Sequence, residues 1–355
     1  MRRVTKVLAL AATAALALSA CGSSSSSSSG STSTGSAGGS ATTSAAKKLK
    51  VGLAYDVGGR GDQSFNDSAA RGLDKAKTEL GVETKELEAT QGETDAQKEE
   101  RLRLLAQGGY NPVVAVGFAY ATALKKVAAE FPDTSFAIID DDSIQAKNVT
   151  PLVFAENQGS FLTGVIAAQA SKSGNIGYIG GVNTPLLQKF QAGYTAGAKA
   201  VKPDIKVQVK YLTEPPDFSG FGDPAKGKTV AQGMFDGGAD VVYAAAGGSG
   251  AGVFEAANAS KKLAIGVDSD QYLTAPAAVK NVILTSMLKR VDTAVYDYIK
   301  ADASGTPLTG TQRFDLKADG VGYATSNPAV QPYTAKADEF KQKIISGEIT
   351  VPDKP

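Results

Sequence analysis

The sequence predicts an α/β fold of two doubly wound parallel-sheet lobes with hinge crossings, and three observations carry that prediction. Ten short β-rich runs alternate with helical segments along the body of the chain. The runs are bounded by glycine and spaced for right-handed βαβ units. Polar residues and glycines gather at the carboxyl ends of several runs, where doubly wound sheets take their ligands.

Ahead of that body lies a leader. Arg2, Arg3 and Lys6 precede an apolar core of 12 residues, Val7 to Leu18. The core is too short to span a bilayer as a helix, so residues 1–20 read as an export signal peptide. It ends in LSAC, with Gly22 following Cys21, which resembles the bacterial lipoprotein signal. That resemblance implies a lipidated Cys21 as the new N-terminus. Residues 21–47 then form a Ser/Gly-rich tether with too little to bury to fold, and a flexible coil of this length reaches roughly 28 Å.

Composition removes whole classes of function. There is no histidine, so imidazole base catalysis and histidine–metal sites are excluded. Cys21 is the single cysteine, which excludes disulfides, zinc clusters and thiol catalysis. Without the leader's three basic residues the 37 lysines and arginines fall to 34, against 36 acidic residues, a net charge of −2. A near-neutral body lacks the basic surface that nucleic-acid binding needs. No cofactor is expected.

The strands expected in the first half are residues 48–55, 82–89, 111–117, 135–140 and 150–155. Those in the second half are 175–181, 205–212, 239–247, 263–270 and 282–288. Between them, Leu73, Ala76 and Leu80 fall on one face of a helix, and Leu102, Leu104 and Leu105 supply the next. The chain should cross between lobes near Ala155, Ser286 and Phe314. This divides it into an N-terminal lobe of residues 48–154 and 286–313 and a C-terminal lobe of residues 155–285 and 314–355.

One motif points elsewhere. GDPAKGKT, Gly222 to Thr229, fits the phosphate-loop pattern G-x-x-x-x-G-K-[ST]. A working phosphate loop starts where a buried strand ends. Here TEPPDFSGF intervenes, and its two prolines forbid a continuous strand-to-loop turn. The acid of the neighbouring run, Asp240, stands at the wrong end to hold Mg²⁺. The segment is therefore expected to be a surface turn feeding a helix around 225–235. GRGD, Gly59 to Asp62, is too short to carry information.

Several strand ends look chemical. Phe65 is a large aromatic at a polar loop-to-helix junction, and Asn66 follows it; a helix cap and a hydrophobic staple are the competing roles. Asp140, Asp141 and Asp142 close one strand, Asp268 and Asp270 another. Gly247, Gly248 and Gly250 follow a third, and Lys289 a fourth. Each alone is a turn former or a solvated charge; together they line one rim of two sheets.

The motifs GDQSFND, FPDTSFAIID, GSFLTGVIAAQASKSGNIGYIGG, QKFQAGYTAGA, GADVVYAAAGGSGAGV, AIGVDSDQ and ILTSMLKR resemble the basic membrane protein family, in family order from about Lys48 to Lys300. These are lipoproteins related to purine-nucleoside receptors, and they serve as substrate-binding components of ABC importers with a type I periplasmic-binding-protein-like fold. The resemblance implies that Phe65 and Phe190 sandwich a purine ring, and that Asn66 and Asp140 hydrogen-bond its edge. It also implies that Asp268 and Lys289 grip the ribose hydroxyls, with Gly247 or Gly248 close to the sugar. The run DDDS after Ile139 and the long PPDFSGFGD loop depart from the family's pattern.

A lipid-anchored receptor on the extracytoplasmic face follows from this. It is a monomer that captures a nucleoside between its lobes and delivers it to an ABC permease. A sugar or another small polar metabolite is the alternative ligand. A nucleoside-processing enzyme is the alternative class, with paired acids at Asp140 to Asp142 but no histidine or cysteine to support a metal site.

Overall fold

The computed structural model describes residues 48–355; the leader, Cys21 and the tether lie outside the described residues. The body opens with β1 (Lys50–Ala54), α1 (Phe65–Leu80), β2 (Glu83–Leu87), α2 (Asp95–Gln107), β3 (Val113–Ala115), α3 (Ala121–Glu130), β4 (Phe136–Ile139) and β5 (Val149–Phe154). It continues with α4 (Glu156–Ala170), β6 (Asn175–Val182), α5 (Pro185–Val201), β7 (Lys206–Thr213), α6 (Pro224–Asp236), β8 (Val241–Ala245), α7 (Gly250–Ser260) and β9 (Leu263–Asp268). The last elements are α8 (Gln271–Thr274), β10 (Ile283–Lys289), α9 (Val291–Ala303), β11 (Gln312–Phe314), β12 (Val321–Tyr323) and α10 (Gln331–Ile345).

Two six-stranded sheets result, in the orders β11-β5-β4-β3-β1-β2 and β12-β10-β9-β8-β6-β7. Every pairing is parallel except β10 with β12. The central strands β3, β4, β8 and β10 are buried along their whole length, as the uninterrupted apolar runs VVA, FAII and VVYAA require when helices cover both faces. β2 and β7, at the edges, alternate with polar residues. Both sheets share one strand order, so the second lobe repeats the first, with β4 corresponding to β9 and β5 to β10. The predicted α/β class with two parallel-sheet lobes is the fold observed.

All ten expected strands form. β11 and β12 were not expected, because three residues of QRF or VGY leave no periodicity to read. In α2, Leu102 and Leu105 are buried but Leu104 is 56% exposed. Residues three apart share a helix face and a residue two along does not, so the expected grouping of all three leucines is corrected. Burying a leucine contributes roughly 1.5–3 kcal/mol, and α2 gains that at two of the three positions.

The chain passes from the first sheet to the second at Ala155, between β5 and α4. It returns between Lys289 and Val291, where α9 packs on α1, and passes again after Phe314. The second passage was expected near Ser286. It lies further on because β10 pairs with β9 as far as Leu288 and with β12 as far as Lys289.

GDPAKGKT forms no phosphate loop. Asp223 caps α6, accepting the Lys226 amide at 2.9 Å, and Pro224 stands at the first helical turn. Lys228 pairs with Glu255 on the surface at 3.0 Å, and the Thr229 hydroxyl donates to the Ala225 carbonyl. Gly227 serves packing: a Cβ there would stand 2.3 Å from the Ser249 carbonyl. Among the described residues no helix is long and apolar enough to cross a membrane.

Candidate ligand-binding cleft

Between the sheets' carboxyl ends lies a cavity of about 530 Å³, counted with its mouth. Seven of the eight residues to which the family resemblance gives a ligand role stand in its wall: Phe65, Asn66, Asp140, Phe190, Gly247, Asp268 and Lys289. Gly248 does not; it follows Gly247 in the turn before α7. Gly247 holds φ +54, and a Cβ there would meet the Phe221 carbonyl at 3.1 Å, so both conformation and space call for glycine.

Two carboxylates end corresponding strands. Asp140 follows β4 and Asp268 closes β9, and both adopt left-handed backbone, φ +69 and +63. Non-glycine residues rarely hold this conformation, and it turns both carboxylates into the cleft. Asp141, by contrast, accepts the Ser143 amide and hydroxyl at 3.0 and 2.6 Å, and neither it nor Asp142 stands in the cavity wall.

Lys289 is the centre of the charge. Its side chain is 2% exposed, its Nζ donates to Asp140 Oδ2 at 2.5 Å, and Glu156 Oε1 lies 3.6 Å away. The rings of Phe65, Phe154 and Phe190 surround the ammonium at 5.0, 5.1 and 5.6 Å, within cation–π range. Burial presses the ammonium to lose its proton. Asp140, Glu156 and Asp268 outweigh that pressure, and its pKa stands above the usual lysine value.

Burial raises Asp268 to about 6, although Lys289 and a hydrogen bond from Ser64 pull the other way. Burial likewise raises Asp56 to about 7. Counting Asp62, the wall holds four carboxylates and one ammonium. Asp62 is committed to the fold, accepting the amides of Ser64, Asn66 and Asp67 at 2.8, 2.8 and 3.1 Å and so capping α1. Asn66 is therefore no cap. Its Oδ1 accepts the Asp56 amide at 3.0 Å, and its Nδ2 donates to Asp62 and to the Val57 carbonyl.

The cleft is shut. Ser64 Oγ donates to Asp268 Oδ2 at 2.8 Å, and Ser269 Oγ donates to the Ser64 carbonyl at 2.7 Å. At the mouth, Phe118 and Phe218 meet edge to face at 5.8 Å, with Lys98 over the Phe218 ring. Sequence reasoning missed Asp56, Phe118 and Phe221 as wall residues. Asp56 follows β1 as Asp140 follows β4, so the signal was available. Phe221 comes from the PPDFSGFGD loop, where a large aromatic among Pro and Gly was the only cue. Among the described residues no cluster of three or more carboxylates or other donors is arranged to hold a metal ion.

Two parallel-sheet lobes joined by three crossings and closed over an aromatic and acidic cavity define a bilobal solute-binding protein. The sequence from 48 to 355 matches the family described as ABC transporter substrate-binding protein PnrA-like, and the chain belongs to that family. It is 37% identical over 325 residues to the ABC transporter nucleoside-binding protein BmpA of Lactococcus lactis, covering 86% of this chain and 90% of that one. A Pyrococcus abyssi protein named as an uncharacterized lipoprotein is 39% identical over 293 residues, 78% of this chain and 69% of its own length. The solved structure of an ABC transporter solute-binding protein from Aeropyrum pernix superposes with a TM-score of 0.75 at 30% identity, covering 86% of this chain and 94% of that one.

Proposed function

We propose that this protein captures a nucleoside, with a purine base, between its lobes and hands it unchanged to an ABC permease, while anchored through Cys21 on the extracytoplasmic face of the membrane. The observation that carries the reading is the meeting of Phe65 and Phe190 with Asp268 and Lys289 around one closed cavity. A flat heterocycle stacks on the rings, and a diol satisfies a carboxylate acceptor and an ammonium donor at once. Phe221 offers a further aromatic wall.

Edge recognition falls to carboxylates. Asp140 Oδ1 is buried without a hydrogen-bond partner among the described residues and needs a donor from the ligand. Asn66, whose amide is engaged with Asp56, Asp62 and Val57, contributes through the loop it orders and through the remaining lone pair of its Oδ1. Four carboxylates against one ammonium oppose a phosphorylated ligand, which favours nucleosides over nucleotides. The relatives' names agree with a nucleoside carried by a lipoprotein.

The ribose tests this reading. A buried donor or acceptor left unpaired costs about 1–3 kcal/mol, so a 2′-deoxynucleoside should bind roughly tenfold to a hundredfold more weakly than its ribo counterpart. Asp268→Ala should erase most of that difference. Calorimetric titration of inosine, guanosine, adenosine and their 2′-deoxy forms decides it, and equal affinities in the unmodified protein would overturn the assignment. Chromatography after incubation should return each nucleoside intact; a released base would favour the enzyme.

A further inference from the structure

Glu156 is a deeply buried charged side chain that the ligand cavity leaves unused. It is the first residue of α4, directly after the chain leaves the first sheet, and its side chain is 1% exposed. It does not stand in the cavity wall. Its Oε1 lies 3.6 Å from Lys289 Nζ, too far for a hydrogen bond but close for a charge pair, and its Oε2 has no hydrogen-bond partner among the described residues. Lys289 ends β10, just before the chain crosses back. The pair therefore joins two of the three lobe crossings.

We propose that Glu156 is a positioning residue for ligand binding: from the hinge it holds the Lys289 ammonium in place, leaving that ammonium's free hydrogens for the ligand. The donor count supports this. An ammonium has three N–H donors, and hydrogen bonds among the described residues take one, to Asp140. Asp140 belongs to the first lobe and moves with it, whereas Glu156 and Lys289 both sit on the second. Glu156, together with Asp268 on the neighbouring strand β9, is thus a counter-charge that stays with the lysine when the lobes part. An unpaired buried charge is costly enough that the lysine would otherwise lose its proton or turn toward water.

The charged and titratable groups around Glu156 are Lys289 on β10, Asp140 after β4, Lys189 on α5 and Tyr243 on β8. Burial raises Glu156 to about 7, with Lys289 and Lys189 opposing and Asp140 adding to the rise. Glutamine therefore mimics the protonated side chain below that pH and lacks only the charge above it.

The test is the inosine affinity of Glu156→Gln relative to wild type, titrated at several pH values; inosine rests on the nucleoside reading above. The variant should bind about tenfold more weakly well above pH 7, and the ratio should close toward one below pH 6. Using the ratio cancels the titration of Asp56 and Asp268, which both proteins share. In a Lys289→Met background the Glu156→Gln effect should vanish, because Glu156 acts through the lysine alone. A ratio that is constant with pH, equal to one throughout, or unchanged in the Lys289→Met background overturns the proposal. If wild type binds no nucleoside, the functional reading fails by itself. The positioning role is then read from the Lys289 ¹⁵Nζ resonance in ligand-free protein, whose titration midpoint should fall in Glu156→Gln; an identical midpoint overturns the role. The same measurement serves if Lys289→Met does not fold.

Discussion

Phe65 and Phe190 meet the same cavity from different lobes, yet they differ in what else they do. Phe65 is half-buried at the start of α1, whereas Phe190 is 4% exposed and belongs to the hydrophobic core. Phe65→Ala should weaken purine-nucleoside binding by roughly 1–3 kcal/mol, the usual worth of base–aromatic stacking, with little change in melting temperature. Phe190→Ala should lose affinity and also about 3–5 kcal/mol of stability. Calorimetry and thermal melting on both variants separate the roles, and unchanged affinity in both would make the rings core alone. Asp56 allows a test by pH. Burial raises it from 3.8 to about 7, so the folded chain holds this proton more tightly than the unfolded chain. The group costs nothing below its unfolded pKa, the cost grows as pH climbs toward 7, and all of it is present above. Asp56→Asn should therefore match wild type in ligand-free stability near pH 4 and exceed it by on the order of 1 kcal/mol or more at pH 8. Urea unfolding at the two pH values checks this, and an equal gain at both would show that the proton is not the cause.

At the scale of elements, α6 shows how a motif can match without its function. The Gly-Lys-Thr of GDPAKGKT lies within a capped helix whose glycine lets α7 approach, not at the end of a strand. Lys228→Ala should change ligand affinity and stability by only a few tenths of a kcal/mol, as exposed substitutions do. No Mg²⁺-dependent nucleotide binding should be measurable; ATP hydrolysis abolished by Lys228→Ala would reverse this reading. Gly252 on α7 is the opposite case, because a Cβ there would lie 1.8 Å from the Pro224 carbonyl. Gly252→Ala should cost about 1–3 kcal/mol by forcing the two helices apart, and a melting temperature equal to wild type would refute that. Strands were legible because buried parallel strands are continuous apolar runs. β11 and β12 were not, since three-residue strands exist only through the partners that pair with them.

For the whole molecule, closure and the proposed anchoring would set what it can do. The contacts across the cleft include Ser64 with Asp268 and Ser269, Arg71 with Ser269, Phe118 with Phe218 and the Asp140–Lys289 pair. A ligand bridging both lobes has a balance to shift toward the closed form. Anchoring is tested outside the described residues. Cys21→Ser should move the protein from the membrane fraction to the soluble or unprocessed fraction, followed by fractionation and mass spectrometry. A variant that still carries acyl chains would end the lipoprotein reading.

The sequence by itself determined the class of fold, the ten main strands and seven of the sixteen residues that meet in the cleft. Hydrophobic periodicity and strand-end polarity are local patterns, and strand ends of a doubly wound sheet converge wherever such a sheet forms. Only the tertiary structure decided the rest. It set the second crossing after Lys289, chose Asp140 over Asp141 and Asp142, committed Asn66 to the loop, and brought Glu156 to Lys289. Each of these depends on which groups face each other across a long separation in sequence, where burial and unmet hydrogen bonds, not local pattern, choose the partner.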